Sequence, residues 1–196
     1  MIERVQKLGA TMGGVFSYSD LFNLMGASSE LKNKRLIKRL VTEGFLFKIQ
    51  RGFYTTKDPD LWVLTCRIKK NVCISMDSVL AKNGLTGTIP QSISAIYPGP
   101  RKKILNTPLG PIRFFSIKKD LIFGVNTLPQ GVRAANSEKA YLDILYYYLK
   151  GARFVVDPLR DIDLWKLDRI KIGRYLKHYR NPKFRRFVKG LVDGQN

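Results

Sequence analysis

Histidine and cysteine are nearly absent from this chain, and acids are scarce. Its 196 residues include one histidine, two cysteines and 15 carboxylates. Cys66 and Cys73 have no neighbouring Cys or His with which to form a zinc pattern, so two buried free thiols in a reducing cytosol are expected. His178, in a basic stretch, has no carboxylate partner in the sequence for a Ser/His/Asp arrangement. Phosphate-loop, dinucleotide-binding and Gly-x-Ser-x-Gly patterns are all missing. Asp161-Ile162-Asp163 resembles the metal-holding pair of nucleotidyltransferases. That chemistry also needs a Gly-Ser or Gly-Gly turn shortly before it, which the preceding GARFVVDPLR lacks. Asp161 and Asp163 are expected instead to cap the C-terminal helix. Neither enzyme activity, a metal nor a cofactor is expected.

Long hydrophobic runs are missing too. The longest, such as Ile144 to Leu149, cannot span a bilayer, and Met1-Ile2-Glu3-Arg4 leads into no apolar leader. The expectation is a soluble cytoplasmic protein with no membrane partner.

Positive charge is abundant. Lys and Arg total 35, giving a net charge of +20. Such a charge repels itself in the folded state and points to a polyanionic partner: DNA, RNA or an anionic membrane surface. Hydrophobic residues make up 44%, enough for a globular core.

The segment SYSDLFNLMGASSELKNKRLIKRLVTEGFLFKIQRGFYTT, from Ser17 to Thr56, is the most informative. Ile2, Val5 and Leu8 predict a short helix before it, ended by Gly13-Gly14. Ser17 and Asp20 form a capping-box pattern for a second helix, which buries Leu21, Leu24 and Met25 and stops at Gly26. Ser28 or Ser29 then caps a third helix running to about Glu43, with Gly44 as its stop. At 100° per residue, Leu36, Ile37, Leu40 and Val41 share one side of it; Ser28, Lys32, Arg35, Lys38, Arg39 and Thr42 share the other. Phe45 to Ile49 and Phe53 to Thr56 predict a hairpin turning at Gln50-Arg51-Gly52, with Phe45, Phe47, Phe53 and Tyr54 as packing residues. A capped helix, a basic helix and a basic hairpin together read as a winged helix-turn-helix. Ser28, Lys32, Arg35, Lys38, Arg39, Thr42, Lys48 and Arg51 are the candidate DNA contacts.

Asp58-Pro59-Asp60 reads as a boundary, dividing the chain into domains 1–58 and 59–196. The second is expected to be mixed α/β, making the whole chain α+β. Its expected elements are a helix from Leu61 to Ile68, a strand from Val72 to Ser75 and a helix capped by Ser75 or Asp77 and ended by Gly84. Strands follow near Ser92 to Tyr97, Ile104 to Thr107, Ile112 to Ile117 and Leu121 to Val125. Ser137 is expected to cap the helix SEKAYLDILYYYLKG, with Ala140, Leu142, Leu145, Tyr146 and Leu149 inward. Leu164, Trp165, Ile172, Tyr175, Leu176 and Tyr179 are read as one helical face. Residues 165–196 hold ten basic groups and two acids. Lys166, Arg169, Arg174, Lys177, Arg180, Arg185 and Arg186 therefore form a candidate second surface. It suits nucleic acid first, then an acidic protein, and least a membrane surface.

FSYSDLFNLMG…LIKRLVTEGFLFKIQRGFY, CISMDSVLAKNGL, LNTPLGPIRFFSIKKDLIFGV and ANSEKAYLDILYYY, in that order, resemble the AbiE-type antitoxins of bacterial abortive-infection systems. The resemblance spans roughly residues 8 to 150. It implies a winged helix-turn-helix that binds the operator of its own operon and represses it. It also implies a C-terminal domain that counteracts a nucleotidyltransferase toxin, usually without a stable complex. The resemblance places the recognition helix at Ser28 to Glu43 and the wing at Phe45 to Thr56. Ser137-Glu138-Lys139-Ala140 and Asp143 match the family's C-terminal signature and are expected to be architectural. An RNA-binding module, for example one that shields tRNA, and a solitary transcriptional regulator are the alternative readings.

Overall fold

The computed structural model describes residues 2–26, 29–100 and 103–194. The chain is mixed α+β. It begins with α1 (Ile2–Thr11), β1 (Val15–Ser17), α2 (Tyr18–Met25), α3 (Glu30–Thr42), β2 (Phe47–Gln50) and β3 (Phe53–Thr55). These strands make an antiparallel sheet in the order β1-β3-β2. Val5, Phe16, Leu21, Met25, Ile37, Leu40 and Leu46 close a small core beneath it. The capping box at Ser17 is complete. Asp20 N–H donates to Ser17 Oγ at 3.1 Å, and Ser17 N–H donates to Asp20 Oδ2 at 2.6 Å. Strand β1 was not anticipated, because three residues are too few to show alternation.

After α1 the chain reverses through Gly13 and Gly14, both at positive φ. A Cβ on Gly14 would collide with Thr56 Oγ1 and stand 3.0 Å from Pro59 Cα. Glycine is required there both by the backbone conformation and by the close passage of the 56–59 segment.

A second, larger core surrounds a six-stranded mixed sheet in the order β6-β7-β5-β4-β9-β8. Its elements are α4 (Leu61–Ile68), β4 (Cys73–Ile74), α5 (Asp77–Lys82), β5 (Ile93–Tyr97), β6 (Lys103–Thr107), β7 (Gly110–Ser116), β8 (Val125–Thr127), β9 (Arg133–Ala135) and α6 (Ser137–Tyr148). Strands β4 and β9 pair in parallel, as do β5 and β7; the remaining neighbours are antiparallel. The expected strand at 121–125 begins only at Val125, because Lys119–Leu121 turns as a 3₁₀ segment.

Two caps differ from expectation. Asn136 caps α6, accepting from Lys139 N–H at 3.0 Å, and Ser137 is the first helical residue. Helix α5 has no side-chain cap. Met76 precedes it at φ +56°, while Ser75 Oγ donates to Asp143 Oδ2 at 2.6 Å. Helix α6 is buried around most of its circumference, from Glu138 to Leu145, whereas Leu149 is half exposed. Its one-sided amphipathic reading is therefore corrected. Two fully buried charges, Lys139 and Asp143, form an ion pair one turn apart on it.

The C-terminal segment is not one helix. It divides into a 3₁₀ turn at Leu164–Lys166, α7 (Arg169–Leu176) and α8 (Pro182–Asp193). Leu164, Ile172, Leu176 and Tyr179 are buried, but Trp165 is 73% exposed, so the six-residue face is broken at Trp165. Asp168 caps α7, and Asn181, with Pro182 after it, caps α8.

Candidate nucleic-acid interface

Helix α3 is positioned from both ends. Ser29 Oγ accepts from Lys32 N–H at 3.3 Å, so Ser29 is the cap; Ser28 lies outside the described residues. Beyond Glu43 the chain turns back, and Phe45 N–H donates to Leu40 O at 2.9 Å. The side packed into the smaller core presents Asn33, Ile37 and Leu40, with Leu36 and Val41 half-buried at its edge. Lys32, Lys34, Arg35, Lys38, Arg39 and Thr42 are exposed on the rest of the helix. Asn33 was not singled out from the sequence, although it precedes Ile37 by four residues and so continues the buried stripe.

The exposed cations are not equivalent. Lys34 pairs with Glu30 at 2.7 Å, and Arg39 Nε with Glu43 Oε1 at 2.6 Å, both one turn apart. These contacts lower the Glu30 carboxyl and raise the Lys34 and Arg39 side chains from their ordinary values. Arg35 and Lys38 have no acidic partner among the described residues. The Thr42 hydroxyl donates to Lys38 O at 3.0 Å, which makes it a helix contact first.

Strands β2 and β3 form the expected hairpin, with a register irregularity between Lys48 and Gln50. Gly52 sits at φ +78° in the turn, beside exposed Arg51. Its carbonyl accepts from Tyr18 N–H at 2.8 Å, so the hairpin tip is tied to the start of α2. Lys48 is exposed. Phe45 and Phe47 are also exposed, at 38% and 39%, which corrects their assignment as packing residues; Tyr54 does pack on the smaller core.

The second basic group is spread over three elements. Lys166 belongs to the 3₁₀ turn, pairs with Asp163 at 3.0 Å and donates to Gly84 O at 3.1 Å. Arg169 is half-buried with its guanidinium 5.1 Å from the Trp165 ring centre. Arg174 on α7, Lys177 and Arg180 in the following turn, and Arg185 and Arg186 on α8 are exposed.

Asp161, Asp163 and His178 each have local partners. Asp161 Oδ2 accepts from Asp157 N–H at 2.7 Å, and Asp163 Oδ1 accepts from Trp165 N–H at 3.3 Å. These carboxylates close a loop and head the 3₁₀ turn, which corrects their assignment as caps of the C-terminal helix: Asp168 and Asn181 take that place. His178 stacks on Phe123 with ring centres 4.3 Å apart. Cys73 is buried and Cys66 half-buried, and burial pushes the Cys73 thiol up to about 12. Among the described residues no group of three or more His, Cys, Asp and Glu could hold a metal ion, and no helix is long and apolar enough to cross a membrane.

No known family model matches this chain, and no curated protein does.

Proposed function

We propose that this chain is a sequence-specific DNA-binding autorepressor. Residues 1–58 would be a winged helix-turn-helix domain, and residues 59–196 an antitoxin domain that counteracts a nucleotidyltransferase toxin. The observation that carries the DNA reading is helix α3, which packs by Asn33, Ile37 and Leu40 and leaves Arg35 and Lys38 exposed without acids. The element order α1-β1-α2-α3-β2-β3 supports it, with an exposed Arg51 at the turn of the last two strands. Arg35 and Lys32, in the N-terminal half of the helix, are the proposed base readers, because a basic side chain in the major groove can donate to the guanine acceptors. Lys38, Lys48 and Arg51 are proposed to neutralise phosphates, and Arg39 shares its charge with Glu43. The antitoxin role rests on the four ordered segments that resemble AbiE-type antitoxins. In it the chain acts on its toxin functionally, without a required stable complex and without a cofactor.

Gel shifts with duplex DNA from upstream of the chain's own gene, with random duplex and with tRNA as competitors, test this reading. Preferential binding of the upstream duplex supports it. Preferential binding of tRNA favours an RNA-binding module instead, for which the exposed cations of α7, α8 and the turn between them are the proposed contacts. Co-expression with a nucleotidyltransferase encoded beside it tests the antitoxin role. Undiminished toxicity would leave a solitary regulator.

A further inference from the structure

A cavity of about 380 Å³ opens between α4, α5, the β8–β9 edge and the start of α6. Trp62, Lys82, Asn83, Asn126, Asn136 and Lys171 all line it. Three features set this cavity apart from a packing defect. First, cations from two separate elements meet there, Lys82 from α5 and Lys171 from α7, against one carboxylate, Glu138. Lys171 is held by Glu138 at 2.8 Å, and Glu138 Oε1 also accepts from Asp168 N–H at 3.3 Å, so this cation is placed rather than free-swinging. Second, the wall contains a half-buried indole. Lys82 is itself exposed, and its Nζ stands 4.1 Å from the Trp62 ring centre, which places the ammonium at the cavity mouth. Third, the polar wall is braced. Asn83 Nδ2 donates to Ser137 Oγ at 2.9 Å, and Asn136 Nδ2 donates to Tyr175 OH at 2.8 Å. Trp62 and Lys82 also border an adjoining hollow of about 220 Å³ with an apolar lining of Ala81, Ile89, Pro90 and Ile93.

A polar hollow with two ammonium groups beside an apolar hollow, with an aromatic ring at their boundary, matches a ligand with a planar ring and an anionic group. We infer that this cavity binds a mononucleotide. Its phosphate lies between Lys82 and Lys171, its ring lies against Trp62 and the Ile89–Pro90 shelf, and the amides of Asn83 and Asn126, which line the polar hollow, meet the sugar hydroxyls between them. The size agrees, since small-ligand sites span about 300–1,000 Å³. None of these residues belongs to the α3–hairpin surface, so the site is separate from the proposed DNA contacts.

Trp62 and Trp165 are the chain's two tryptophans. In the full-length Trp165→Phe variant, indole emission reports on Trp62 alone. Titration with AMP is expected to change that emission saturably. Adenosine and inorganic phosphate are each expected to bind about tenfold more weakly or worse, because each lacks half of the contacts. Lys82→Ala and Lys171→Gln should each weaken AMP about tenfold, while Lys70→Ala, on an exposed position away from the cavity, should not. Circular dichroism melts confirm that each variant is folded. Lack of a saturable change into the millimolar range overturns the inference. Equal binding of AMP and adenosine, or of AMP and phosphate, overturns the mononucleotide assignment, and equal weakening by Lys70→Ala overturns the site. The readout needs no DNA, so it stands or falls independently of the DNA-binding reading.

Discussion

The guanidinium of Arg67 on α4 lies 2.6 Å from Asp20 Oδ2, the same carboxylate oxygen that completes the capping box of α2. Its other terminal nitrogen donates to Val15 O at 2.6 Å. One side chain therefore ties β1 and the start of α2 to a helix packed on the larger core. Arg67→Met should remove both contacts while keeping an aliphatic stem of similar length. Backbone amides of residues 15–25 are expected to exchange hydrogen faster in this variant, with α6 nearly unchanged. Equal acceleration in both regions would show that Arg67 supports the whole fold rather than this junction.

Lys139 and Asp143 are fully buried on one helix, with Ser75 Oγ donating to the carboxylate and the Phe123 ring 4.8 Å from the ammonium. Burial raises the Asp143 carboxyl, and Lys139 opposes that rise. Lys139→Met leaves an uncompensated buried charge and should cost about 3–5 kcal/mol. The double variant Lys139→Met/Asp143→Leu should recover about half of that or more, the remainder reflecting the Ser75 hydroxyl left without its acceptor. Denaturant unfolding of the two single variants and the double variant measures this coupling; simple additivity would contradict it.

Asp77 is buried at the first position of α5. Its Oδ1 accepts from Ser78 N–H at 3.0 Å, and the Ser94 hydroxyl lies beside the carboxyl. Desolvation raises its pKa, and Ser94 and Arg113 ease the rise only partly. The folded state thus holds this proton more tightly than the unfolded chain, whose aspartates titrate at about 3.9. Stability from this group is complete below that value and is lost as pH rises through the folded pKa. Asp77→Asn removes the loss and offers an N–H towards Ser94. It should be about 1 kcal/mol more stable at neutral pH, with its advantage growing from pH about 4 upwards. Thermal melts across that range check this, and an advantage that is constant with pH, or that shrinks as pH rises, would contradict it.

Among the α3 cations, Arg35 and Lys38 should separate by specificity. Arg35→Ala is expected to weaken binding to the preferred duplex more than to random DNA, by about 1–3 kcal/mol. Lys38→Ala should weaken both similarly and reduce the slope of log affinity against log salt by about 0.9. Equal losses on both duplexes for Arg35→Ala would reject base reading by that residue.

Much of the local structure was legible because it depends on short-range chemistry. Ser17 and Asp20 bond three residues apart, Gly26 and Gly52 adopt backbone angles that favour glycine, and Ile37 and Leu40 follow a helical period. Helix α4 has its expected bounds, and α3 differs only at its ends. The C-terminal face failed for a related reason. Helical periodicity assumes one unbroken helix, and between Leu164 and Tyr179 the caps at Asp163 and Asp168 start two separate turns. Asn136 beside Ser137 shows the same limit: two good caps in succession compete, and the register of α6 against α7 decides between them, with Asn136 also bonded to Tyr175.

By itself the sequence determined the charge, the capped starts of α2 and α3, the basic face of α3 and the hairpin turn, since each follows from neighbouring residues. Only the tertiary structure decided the parallel pairing of β4 with β9, the Arg67–Asp20 tie and the buried Lys139–Asp143 pair. It also decided the meeting of Trp62, Lys82 and Lys171 around one cavity. These depend on groups tens of residues apart, or on burial that removes water from a charge. Periodicity and spacing carry no information on either, because the energy of such contacts is set by what the rest of the chain packs around them.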